Sequence, residues 1–202
     1  MHRSRFYLIA VLSLAAFPAA ADVSVNPQSA PKGVYELTKA HSLVTFCIRH
    51  LGISNYCGWF PKLSGKLHFN GAQPQASRVD VSIDLSAVQT RNDELDGRLR
   101  NDFFEVAKFG TATFKTNGSK ITGTNQGDVE GNLTLHGVTR AVILKTTYNG
   151  GQPSPFGSGF LIGFSADTTI KLADFGLTGV AWKVFVGDEV TIHIESEFLH
   201  EQ

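Results

Sequence analysis

Two cysteines, seven histidines and a scatter of carboxylates are the residues of this 202-residue chain whose chemistry could carry a function. Six histidines, His41, His50, His68, His136, His193 and His200, lie beyond the first stretch, and none stands at a metal-ligand spacing such as two histidines four apart on a helix with a Glu. His41 precedes Ser42 directly, but neighbours on a strand project to opposite faces, so a Ser-His relay there has poor geometry. Asp80 and Asp84 share a face with Arg78 and Ser82, opposite Val81 and Ile83, which reads as a solvated surface and not as a paired acid and base. The chain has no nucleophile elbow, phosphate loop or dinucleotide fingerprint. These residue types predict no catalysis, no resident metal and no required cofactor. His41, His50 and His136 keep two readings, a hydrogen-bonded structural histidine at a strand end or a ligand contact; in the second, His50 and His136 polarise a head group near a cavity mouth.

Cys47 and Cys57 depend on the compartment. Arg3 and Arg5, an apolar run from Phe6 to Phe17, and small residues at Ala19 and Ala21 follow the order of a secretory signal peptide. The run is far shorter than the roughly 20 residues that span a bilayer, so residues 1–21 are expected to be cleaved and not to anchor the chain. Residues 22–32, with Pro27 and Pro31, are expected to be a flexible leader, and 33–202 a single domain. Export places both cysteines where disulfides persist; a bridge is expected over two free thiols, and ten residues of separation do not resemble a redox Cys-x-x-Cys. Lys and Arg number 18, as do Asp and Glu, with no basic cluster, which excludes a nucleic-acid footprint.

The elements that must position these residues are strands. Fifteen Phe and 20 Gly favour pleated, half-buried surfaces with turns. Val44, Phe46 and Ile48 alternate with Thr45, Cys47 and Arg49, which predicts a bent hairpin continuing to Phe69 with both cysteines on its outer side. Val79, Val81, Ile83 and Leu85 share one face of the next strand. Between Thr90 and Phe109 the period changes, with Leu95 and Leu99 four apart and Asp96 four before Arg100, which predicts a short helical insertion around residues 92–108. The aromatic cluster Phe103, Phe104, Val106 and Phe109 that ends it reads as a lid. Asn117-Gly118 is a two-residue hairpin signal, His136-Gly137 another turn, and Asn149 to Gly159 a long loop. Phe160 to Ile170 and Val190 to Phe198 alternate to the end. About eight strands predict an all-β, antiparallel up-and-down barrel, with a two-sheet sandwich as the alternative.

Several motifs occur in a recognisable order: His41-Ser42, Phe46, His50-Leu51-Gly52, Gly58, Phe60, Gly65, Leu99-Arg100, Asp102-Phe103-Phe104, Ala112-Thr113-Phe114, Gly131 to Thr139, Asp174-Phe175-Gly176 and Val186 to Val190. Over about Gly33 to Phe198 the chain resembles the YceI-like family of bacterial periplasmic proteins. The resemblance implies a lipocalin-like barrel with an elongated apolar tunnel that binds a polyisoprenoid or quinone tail. It places this protein in the periplasm as a binding or carrier protein, with a homodimer and a membrane b-type cytochrome as associated partners. The alternatives are an accessory of a quinone or cytochrome redox system and an envelope stress protein with a filled barrel. The expected tail contacts are Phe46, Ile48, Phe60, Phe69, Val81, Ile83, Phe103, Phe104, Phe114, Leu133, Leu135, Phe164, Phe175, Ile192 and Ile194, with His50 and His136 at the mouth. Thr38 and Lys39 stand where the family favours an acid, and Leu172 where it favours an Arg, so the polar network at the mouth differs.

Overall fold

Alternating apolar residues leave one greasy face on every strand, and the chain buries all those faces at once by rolling the sheet into a tube. The computed structural model describes residues 22–179 and 184–200. Ten strands run in chain order: β1 (Gly33–Leu37), β2 (Leu43–His50), β3 (Ser54–Phe60), β4 (Leu63–Phe69), β5 (Arg78–Asp84), β6 (Thr111–Ile121), β7 (Gln126–Leu135), β8 (Val138–Pro153), β9 (Phe160–Lys171) and β10 (Val186–His200). They form eight staves. β1 and β2 are one stave interrupted by the turn Lys39–His41, and β3 and β4 are another interrupted at Pro61, which has no N–H to give a ladder. β2 pairs with β3 and β1 with β4, all later neighbours are antiparallel, and β10 closes the ring by pairing with both β2 and β1. Closure removes the free edges that an open sheet would expose, and it decides for the barrel over the sandwich.

The interval 85–110 departs from the sheet because β5 stops at Asp84, leaving β3 to be met by a lone bridge, Trp59 with Gln89 (N···O 2.9 and 3.0 Å). Helix α1 (Asp93–Arg98) is started by Asn92, whose side-chain oxygen accepts from the Leu95 N–H at 3.0 Å, with Asp93 and Glu94 in the first turn where the helix dipole favours anions. A wider turn, Leu99–Phe103, follows, then α2 (Val106–Phe109). This insert sits at the barrel end that also holds the 51–53 turn, the 136–137 turn and the turn Leu172–Phe175. The opposite end holds residues 22–32 and the turns 70–77, 122–125 and 154–159.

Three local expectations are corrected. Asn117-Gly118 is not a hairpin: neither residue has positive φ, and β6 continues through them with Asn117 as the extra residue of a bulge between Thr116–Gly131 and Gly118–Glu130. The chain reverses at 122–125 instead, whereas His136 and Gly137, with φ of 51° and 74°, make the two-residue turn. Asn149 to Gly159 is a shorter loop than expected, since β8 bulges at Tyr148/Gly150 and stays paired to Pro153–Phe160, leaving only 154–159 as the turn. Residues 22–32 are not loose: Ser24 exchanges two 2.9 Å backbone hydrogen bonds with Gly151, the Pro27 carbonyl lies against Gly71, Ala30 is buried, and the Tyr35 hydroxyl donates to the Pro31 carbonyl at 2.7 Å. The leader thus straps across one end of the barrel, from β8 to the turn after β4. The signal peptide of residues 1–21 lies outside the described residues.

Candidate functional site

The inward faces meet only in places, as where Phe69 of β4 stacks on Tyr148 of β8 at 6.1 Å. They enclose a cavity of about 390 Å³ that runs between the two ends of the barrel. Strand geometry explains which side chains face it: residues two apart share a face, so Phe46 and Ile48 of β2, Phe60 of β3, Phe69 of β4, Val81 and Ile83 of β5, and Phe114 of β6 all line it. Leu133 and Leu135 of β7, Phe164 of β9, and Ile192 and Ile194 of β10 complete the wall. Phe103 and Phe104 of the insert close over its end, with Leu95 and Leu99 beside them. The rings form two clusters: Phe46–Phe60 at 5.4 Å, Phe60–Phe104 at 5.9 Å and Phe103–Phe104 at 5.1 Å at the insert end, and Phe69–Phe164 and Tyr148–Phe164 at 6.1 and 5.3 Å towards the leader end.

Three expected contacts lie elsewhere. Phe175 is 1% exposed and packs in the hydrophobic core without lining the cavity, whereas Leu172 of the same turn lines it. His136 occupies the β7–β8 turn, where its Nε2 is 2.8 Å from Glu105 and its ring lies 4.4 Å from Phe109. It fastens α2 to the wall. His50 ends β2 with its ring 6.5 Å from that of Tyr56, and does not line the cavity. His41 is bound outside by Glu197 at 3.0 Å. His193 lies on the outer wall between Asp167 (2.7 Å) and Glu195 (2.8 Å); the hydrogen bond to Asp167 leads in raising its pKa above the ordinary histidine value.

Three of the hydroxyls that face inward are satisfied locally, and that of Tyr148 is not. Thr116 donates to the Val79 carbonyl, Thr146 to that of Leu144 and Ser196 to that of Phe164. At the insert end the Tyr56 hydroxyl donates to the Thr90 carbonyl, and the Thr90 hydroxyl donates to buried Asp96 at 2.6 Å. Among the described residues, Arg78 is the one charged side chain of the lining, at the leader end. There the mouth is framed by Ile121, Thr124, Asn125 and Gln126 on the 122–125 turn, with Pro27 of the strap opposite. Sequence reasoning missed these mouth residues, because turn residues carry no periodicity. It also passed over Val142, Leu144, Thr146 and Tyr148 as lining, although their alternation marks them.

Cys47 and Cys57 face each other across β2 and β3 with Cα atoms 4.1 Å apart and are joined by a disulfide, on the face opposite Phe46 and Ile48. The bridge braces the wall and leaves the cavity untouched. The interior can hold an elongated apolar molecule by exclusion of water, with most exposed polar side chains of the lining gathered at the leader-end mouth.

Residues 35–198 match the family described as the YceI-like domain. A UPF0312 protein of Ectopseudomonas mendocina is 42% identical over 139 residues, 68% of this chain and 72% of its own. A YCEI protein of Campylobacter jejuni superposes with a TM-score of 0.66 at 28% identity, covering 76% of this chain and 90% of that one. A polyisoprenoid binding domain from Saccharophagus degradans, implicated in plant cell wall breakdown, has the same fold, with a TM-score of 0.65 at 22% identity over 82% and 97% of the two chains.

Proposed function

The chain belongs to the YceI-like family, and we propose on that premise that it is a periplasmic carrier, exported by its N-terminal segment, that holds the tail of an isoprenoid lipid in the barrel. The observation that carries the reading is the cavity: about 390 Å³, lined almost wholly by carbon, within the range of ligand sites. A filled core would bring opposing side chains into contact along its whole length; here fourteen of the expected contact residues line open space. Each buried methylene contributes about 0.8 kcal/mol, so a branched hydrocarbon chain is retained with few polar contacts, as this lining requires. The similarity to a polyisoprenoid binding domain supports the choice of isoprenoid among apolar chains.

The test is mass spectrometry of an organic extract of the purified protein, followed by titration with isoprenoid quinones and polyprenyl phosphates. A co-purifying isoprenoid, or saturable binding of one of these probes, is expected. An extract without isoprenoid together with no binding of either probe class rejects the reading.

A further inference from the structure

The two ends of the barrel differ in closure and in charge. At the insert end, Leu99 and Phe104 are buried over the cavity. At the leader end the lining reaches exposed residues, Ile121, Thr124 and Gln126, so this is where the cavity opens. Large apolar side chains stand out from three separate segments around that opening: Phe156 is 86% exposed, Val23 58%, Val25 57% and Ile121 49%. Among the described residues of the segments that make this end, 22–33, 68–78, 119–127, 150–160 and 198–200, the charged side chains are Lys32, Arg78, Lys120 and a single carboxylate, Asp22, with Glu201 next in the sequence. None of these three cations has an ion pair within 4 Å among the described residues, and the nearest acid on the ladder, Asp128, is taken by Lys145 at 2.8 Å. On the barrel wall, by contrast, Lys62, Lys66 and Lys115 are each paired with a carboxylate.

Exposed apolar tips interleaved with unpaired cations form a surface suited to an anionic bilayer: the tips enter the interface and the cations stay at the head groups. We propose that the leader end docks on anionic phospholipid, turning the cavity mouth to the membrane. This rests on the tail-carrier reading for its purpose, since a tail leaving a bilayer would then cross little water. The insert end also shows exposed apolar residues, Leu51, Ile53, Val184 and Phe185, but among the described residues of its segments 49–54, 84–110, 136–140, 171–179 and 184–190 nine carboxylates stand with seven Lys and Arg, so it lacks the cationic excess of the leader end.

Co-sedimentation of the purified protein with vesicles of phosphatidylcholine alone or mixed with phosphatidylglycerol, both free of isoprenoid, tests the proposal. Binding is expected to the mixed vesicles and to weaken with salt. Phe156→Asp, and separately Lys32→Glu with Lys120→Glu, should each lower the partition coefficient by roughly tenfold or more, and Ile53→Asp at the opposite end should leave it unchanged. Phe156, Lys32 and Lys120 are exposed and unpaired, so these variants keep the fold; Arg78 is left intact because it also ties the carbonyls of Gln75 and Ser77. Absence of wild-type binding, equal binding by Phe156→Asp, or loss confined to Ile53→Asp overturns the proposal. So does Phe156→Asp turning a dimer into a monomer with vesicle binding intact, which would give this face to a second copy. Vesicle binding by a protein that holds no isoprenoid would support docking while rejecting the carrier reading, and the reverse result would separate them the other way.

Discussion

At the scale of single residues, the interior is defined by where its polar atoms go. Tyr148 lines the cavity, yet its hydroxyl is buried with no hydrogen-bond partner, while Tyr35, equally enclosed, donates to Pro31. Burial pushes both phenols up to about 12 from the ordinary 10, with the Tyr148 charge adding to the effect on Tyr35. An unpaired buried hydroxyl costs about 1–3 kcal/mol, whereas a paired one contributes about 1 kcal/mol. Tyr148→Phe is therefore expected to raise the unfolding free energy by about 1 kcal/mol and Tyr35→Phe to lower it by about as much. Urea unfolding at pH 7 measures both, and a loss of stability in Tyr148→Phe would contradict the assignment. The pH dependence has a definite sign. With a folded pKa above the unfolded one, each phenol's contribution is fully present below pH 10 and is lost as pH rises towards about 12. Wild-type stability should fall across that window, and less steeply in Tyr148→Phe.

At the scale of elements, the most dependent piece is the β2–β3 hairpin. It lies between β10 and an edge that only the Trp59–Gln89 bridge and the insert cover. Gly58 faces the Phe46 ring and the Gln89 carbonyl with no space for a side chain, so the insert can approach the hairpin only because that residue is glycine. The disulfide across β2 and β3 constrains the same hairpin in the unfolded chain. Closing a ten-residue separation corresponds to about 2–3 kcal/mol in the chain-entropy account. Replacing Cys47 and Cys57 together by Ala should lower stability by about that amount and leave the interior unchanged. A difference in urea midpoint between the oxidised protein and the variant measures the first, and isoprenoid content of the extract the second. Loss of bound lipid at unchanged stability would assign the cysteines to the cavity instead.

At the scale of the whole molecule, function resides in space that the fold leaves unfilled. Thr168 lines the cavity midway along β9, opposite Ile192 on β10. Thr168→Trp should fill the cavity, strip the protein of lipid and hold its stripped-state stability near or above wild type. Wild type loaded with isoprenoid should melt above the same protein extracted with solvent, because a ligand that binds only the folded state adds stability by mass action. Calorimetry of the three samples checks this, and a Thr168→Trp protein that still carries wild-type amounts of lipid would place the tail elsewhere. Much of this architecture was legible beforehand. Alternation in β2, β5, β7, β9 and β10 marks one inward and one outward face, and so places Phe46, Val81, Leu133, Phe164 and Ile192 on the inside and both cysteines on the outside. Change of period around Leu95 and Leu99 marks the insert. Asn117-Gly118 misled because a dipeptide that can turn also fits a bulge, and only the register with β7 selects between them. Phe175 misled, and His136 was left with two readings of which its bond to Glu105 fits the structural one, because residues in turns have no face until neighbours pack against them. Local sequence determined which side of each strand is apolar, since that follows from a period of two along the backbone. The tertiary structure alone decided that those faces leave a cavity between them, that a strap of residues 22–32 crosses one end, and that cations without an ion pair among the described residues gather there. Such features depend on the distance between segments far apart in the chain, which no local pattern encodes.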